Sequence, residues 1–222
     1  MPAKITKGAM YLLIGELGLS LMYLVSGDDL RLEIESWLAA TSDNVWQQGK
    51  IWTLISGAFL HAQFVSLLFH GLILWMFVPV LERWWGTKRF LFFALWTTLA
   101  GTIAGTLVGL WVGNGHISGL DPFIYGTIVA YGVLYSTSHV QFFGVLPMTG
   151  KQLAIGMVGF VAVMILWTQD WAHGAAYAAA ISLAYLMTSG KWTPKLWYLR
   201  HKQKRLRRHL KVVKDEPKRW LN

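Results

Sequence analysis

The chain has 222 residues, 55% of them AVILMFWYC, and 22 glycines bring the apolar-plus-Gly share near two-thirds, where soluble domains hold about half. Only 14% are charged, yet 20 Lys/Arg against 11 Asp/Glu leave a net charge of +9. This excludes a disordered basic arm and a soluble fold, which would lack polar residues to cover its surface; with no cysteine, disulfides, thiolate metal sites and a Cys nucleophile are excluded too. An integral membrane protein remains.

Six apolar segments follow in chain order: 9–25, 58–79, 90–112, 119–136, 151–168 and 172–189. Each is near the ~20 residues that cross hydrocarbon as a helix, the fourth and fifth at the short end. The first is read as a span and not as a cleaved signal, because Glu16 interrupts it and no small-x-small site precedes Asp28. In the connection 26–57, Leu30, Ile34, Trp37 and Leu38 recur at helical spacing among Asp29, Glu33 and Glu35. They predict a short amphipathic helix in the interface. Trp37, Trp46, Trp52, Trp84 and Trp85 fall near predicted membrane boundaries.

With six spans, eighteen of the twenty Lys/Arg lie on one side and only Arg31 and Lys50 on the other. The positive-inside bias places both termini in the cytoplasm, and a bacterial inner membrane is expected. The chain reads as a membrane domain over 1–190 and a basic tail over 191–222. In that tail Arg200, Lys202, Lys204, Arg205, Arg207 and Arg208 surround Leu199, Leu206 and Leu210. A basic run beside a span predicts contact with anionic lipid, so no nucleic-acid partner is expected.

Polar groups inside the spans are costly and mark function. Here they are Glu16, His61, Ser66, His70, Asp121 and His173. Asp121 and His173 open the fourth and sixth segments at similar depth, and a static contact between them is expected. Asp121 followed by Pro122 also reads as a helix start, with Asp as N-cap and Pro at the first position. His61 reads as a loop-ordering hydrogen-bond group, and Glu16, distant from Asp121, as facing neighbouring helices or an interior cavity, with a partner contact as the alternative. His70, Asp121 and His173 form a two-His-one-carboxylate set that iron or zinc accepts. Their spacing does not demand it, and there is no HExxH, so neither metal nor cofactor is expected. Thr102, Gly105 and Gly109, with Gly101, make a small face on the third segment for close packing.

The order of motifs over residues 45–189 resembles the rhomboid family of six-helix intramembrane serine proteases. Trp52-Thr53 stands at the family's Trp-Arg, and His61 precedes the second span. Glu82-Arg-Trp-Trp-Gly86 matches its Glu-x-x-x-Gly turn, and Gly119-Leu120-Asp121-Pro122 stands at its Gly-x-Ser-Gly. His173 in Ala172-His173-Gly174 matches the general-base histidine, and Ala176 and Ala180 give a small face toward the fourth span. The resemblance implies an all-α bundle of six transmembrane helices with an amphipathic helix in its first outer loop. It also implies lost chemistry. The nucleophile position is Asp121, the oxyanion positions are Ser66 and His70, and the loop arginine is Thr53. Ser118 is one helical turn from the nucleophile position and has no oxyanion donors beside it. The expectation is a catalytically inactive member that binds transmembrane partners, as an adaptor, chaperone-like protein or accessory subunit, with Glu16, Trp52 and Thr53 as partner contacts. The alternatives are an active protease using Ser118 or Asp121 with His173, and a purely structural subunit of a larger membrane assembly.

Overall fold

The structure, a computed structural model, describes residues 5–113, 115–142 and 146–190. The basic tail and its lipid-contact residues Arg200 to Arg208 lie outside the described residues.

All six apolar segments are helical. α1 (Lys7–Val25) leads into α2 (Asp28–Leu38), whose first turn carries Asp28 and Asp29, the charge that a helix N-terminus favours. α2 is the expected amphipathic helix. Its Ile34 is buried with Ala39 and Leu60 against Leu19 and Tyr23 of α1, so it packs on the bundle and leaves Leu30 and Trp37 exposed. A π-helical turn (Asp43–Gln47), α3 (Thr53–Ser56) and a 3-10 turn (Gly57–Phe59) precede α4 (Phe64–Trp85). These short turns occupy the start of the expected second segment and push the long helix six residues later. Gly86, at φ +78°, lets the chain reverse directly into α5 (Thr87–Val112).

α6 (Asp121–Leu134) has 14 residues and spans about 21 Å. Packed on α4, α5, α7 and α8, it is the centre of the bundle. An antiparallel hairpin that the sequence reading missed, β1 (His139–Phe142) with β2 (Leu146–Thr149), joins it to α7 (Gly150–Thr168). Thr149 and Gln152 start α7 with a capping box, and α8 (Trp171–Thr188) closes the bundle.

Among the described residues four helices are long and apolar enough to cross a membrane: α1, α4, α5 and α7. α6 is too short for the ~30 Å hydrocarbon core and is shielded by its neighbours. The small face of α5 serves packing within the chain. A Cβ on Gly101 would stand 2.4 Å from Pro122 of α6, and one on Gly105 3.0 Å from Ala176 of α8. Gly126 of α6 meets Ala180 and Ala184 of α8 in the same manner. Phe77, Phe90, Phe93, Phe123 and Tyr131 fill the main core. The rim is apolar and open, with Trp111 and Trp167 almost wholly exposed, as lipid contact allows.

Glu82, three-quarters of a turn before the end of α4, fastens α1. Its carboxylate accepts from Thr6 Oγ1 (2.5 Å), Gly8 N (2.9 Å), Ala9 N (3.1 Å) and Thr87 Oγ1 (2.7 Å). It thus caps an N-terminus that has no side-chain cap of its own.

Candidate functional site

The segment before α6 positions Asp121. Gly119, at φ +82°, turns the chain tightly against His61, where an added Cβ would stand 2.5 Å from Cε1. Only glycine permits that approach. Leu120, not Asp121, is the N-cap of α6, and it makes no side-chain cap. The expected Asp cap is therefore replaced: the carboxylate leaves its own helix and reaches α4.

There Asp121 Oδ1 lies 2.9 Å from His70 Nε2, and His70 Nδ1 lies 2.9 Å from Glu16 Oε1. One imidazole joins two carboxylates from α1 and α6, and a ring with N–H on both nitrogens satisfies both. His70 is buried and Glu16 has no exposed surface, while Asp121 is about a quarter exposed. One expectation is corrected here: Glu16 is not far from Asp121, being one residue removed in a hydrogen-bonded chain. Of the two places expected for Glu16 it takes the interior one, with no exposed surface for a partner.

His61 stands edge-on to His70, with ring centroids 4.2 Å apart. Its backbone N–H donates to Ser20 Oγ, which donates to the Phe59 carbonyl. Its ring does not order the loop by hydrogen bonds, since both buried ring nitrogens lack a partner among the described residues.

His173 does not pair with Asp121. Asp170 holds it instead: Oδ1 accepts from His173 N at 3.1 Å, and Oδ2 lies 2.7 Å from Nδ1. Asp170 is the N-cap of α8, so capping and ring orientation are one local i,i+3 feature. The ring packs against Tyr177, which packs edge-on against Tyr125. Asp121, Ser66, Ser118 and His173 nevertheless line one small polar cavity with His61 and Gln63. No hydrogen bond joins Ser118 to His173 among the described residues.

A larger cavity of about 670 Å³ opens beside it, between α4, α6 and α7. Val65, Phe69, Ile73, Ile124, Met157 and Phe160 give it apolar walls, and Ser66, His70 and Asp121 a polar end. Its size is that of a ligand site. Of the other expected contact residues, Thr53 is fully buried and donates Oγ1 to the Lys50 carbonyl, so it offers a partner nothing. Trp52 is half-exposed, stacks on Trp37 and donates Nε1 to the Trp37 carbonyl.

Fold and site together define a multi-pass helical membrane protein with a polar centre at the start of a short, shielded helix. The family model for the Rhomboid domain matches residues 48–190, which is more than half of the chain and holds every helix from α3 to α8. The chain belongs to the Rhomboid family. No curated protein matches it significantly. α1, which contributes Glu16, precedes the matched region.

Proposed function

We propose that this Rhomboid-family chain binds membrane-spanning segments of other proteins in the cavity between α4 and α7 and does not cleave them. The observation that carries this reading is the fate of the nucleophile position. It holds a carboxylate committed to His70, at the end of an apolar cavity of about 670 Å³. An acid so held is no serine nucleophile, and Ser66 and His70 are not the His and Asn oxyanion donors that the resemblance implies. The cavity accommodates several large apolar side chains projecting from a partner helix. The role is that of an adaptor, chaperone-like protein or accessory subunit in a bacterial inner membrane, with both termini cytoplasmic and the basic tail on anionic lipid.

Photo-crosslinking residues placed at Phe69 and Phe160 test this. They are expected to capture membrane proteins that a crosslinker at lipid-facing Trp111 does not, and filling the cavity with Gly156→Trp is expected to abolish capture. Equal patterns at all three positions overturn the reading.

A second reading rests on the Asp170–His173 pair, which orients an imidazole at the cavity that Ser118 also lines. It makes the chain a serine protease with a displaced nucleophile. Fluorophosphonate labelling that disappears in both Ser118→Ala and His173→Ala establishes it and removes the inactive reading. The absence of labelling in the wild-type chain dismisses it.

A further inference from the structure

We propose that Glu16, His61 and His70 form a binding site for a divalent transition metal of the zinc type, joining α1 to the start of α4 beneath the cavity. His61 Nδ1 lies 3.3 Å and His70 Nδ1 2.9 Å from the same Glu16 oxygen, and one ligand atom from each residue lies within 4.8 Å of the other two. Tetrahedral zinc with bonds of about 2.0–2.1 Å holds its ligands roughly 3.4 Å apart, close to the spacing of each ring nitrogen from the shared Glu16 oxygen, and rotation of the two rings brings their nitrogens onto the ion.

Three further observations point to a ligand. His61 is 4% exposed and neither ring nitrogen has a hydrogen-bond partner among the described residues, an unusual state for a buried imidazole. Glu16 Oε2 is also buried and without a hydrogen-bond partner among the described residues, and it can complete the coordination as a second carboxylate oxygen. Asp121 bonds the far nitrogen of His70 at 2.9 Å, an arrangement in which a carboxylate fixes the ring so that its other nitrogen faces a metal.

Charge leads to the same conclusion. Two carboxyl groups converge on His70, from α1 and α6. A dication with two neutral imidazoles balances Glu16 and Asp121 completely, and buried charges persist when so paired. The set differs from the His70, Asp121 and His173 combination suggested by the sequence: His173 is held by Asp170, and Asp121 acts through His70. The site stands on these contacts alone and does not depend on the cavity having an occupant.

The full chain, purified in mild detergent and stripped with EDTA, is titrated with ZnCl2. Uptake of one zinc per chain by mass spectrometry is expected, together with a zinc-dependent rise in melting temperature that EDTA reverses. Glu16→Gln and His61→Ala are each expected to lose the bound zinc. Asp121→Asn, a positioning change, is expected to weaken binding about 10–100-fold. Should a ligand variant fail to fold, cobalt substitution of the wild-type chain serves instead, with the visible absorption of a tetrahedral nitrogen–oxygen site expected. Absence of both uptake and melting shift in the wild-type chain overturns the proposal. Zinc uptake that persists unchanged in Glu16→Gln and His61→Ala overturns it too, because the ion then sits elsewhere.

Discussion

Replacing Glu82 by Gln changes one atom and tests what fastens α1 to the bundle. Oε1 serves Gly8 N and Thr87 Oγ1, and Oε2 serves Thr6 Oγ1 and Ala9 N. An amide keeps one oxygen. Whichever way it turns, its NH2 faces one threonine hydroxyl, which can rotate to accept, and one backbone N–H, which cannot. That N–H is left unsatisfied in a buried place at a cost of about 1–3 kcal/mol. Losing the charge at the α1 N-terminus adds about 0.5–1 kcal/mol. The expected loss is about 1.5–4 kcal/mol, and Glu82→Ala is expected to lose more because it frees both N–H groups. The assay is unfolding of the purified chain by SDS titration from mild detergent. Intrinsic fluorescence suits it, since 13 tryptophans report. Combining Glu82→Gln with Thr6→Val is expected to show a coupling of about 1 kcal/mol or more, as contacting residues do. Losses below about 0.5 kcal/mol for both Glu82 variants would refute the view that this carboxylate caps α1.

The helix interfaces separate two kinds of glycine. Gly101→Ala brings a Cβ to 2.4 Å from Pro122 Cβ and 3.1 Å from the Ala176 carbonyl, and is expected to cost about 1–3 kcal/mol by overpacking. Gly159→Ala, with nothing within 4 Å, is expected to change stability by no more than about 1 kcal/mol; the same SDS titration ranks them, and an equal cost contradicts the packing. Burial holds the His116 imidazole below its ordinary 6.5. The unfolded chain therefore takes up that proton first. The stability contributed by neutral His116 is complete above pH 6.5 and declines as the pH falls below it. Melting temperatures at about pH 7.5 and about pH 5.5 are expected to differ less in His116→Asn than in the wild-type chain, and parallel shifts reject the assignment.

The bundle was legible because lipid imposes a simple rule: a helix must be about 20 residues long and apolar, and six segments approach that rule. The second was displaced because residues 53–59 coil into short turns that hydropathy does not distinguish from a long helix. The β1–β2 hairpin carries no alternating pattern long enough to be seen. At the site, the sequence named polar residues that the structure brings near one another and misjudged their pairs. Asp170–His173 was readable, since an acid three residues before a histidine at a helix start is an N-cap pattern. Asp121–His70–Glu16 was not, because its members come from three helices and only packing decides which carboxylate faces which ring. One signal was available: lone ionisable groups in separate spans seek each other.

α7 is the least held of the long helices. Only Gly150, Leu153 and Val161 of its 19 residues are buried, and most of what fixes it lies near its two ends: the capping box, Gly150 N on the Ser138 carbonyl, Gly132 against Ala154, and Gly174 against Ile165. In water, pulling such a helix outward would expose apolar surface. In a bilayer, acyl chains replace the lost contacts at nearly equal cost, because lipid is as apolar as the side chains it meets. The wall of the cavity is thus exchangeable with solvent lipid. An acyl chain is then itself a competitor for the space between α4 and α7, so occupancy of that space by any apolar group depends on the lipid that the group displaces.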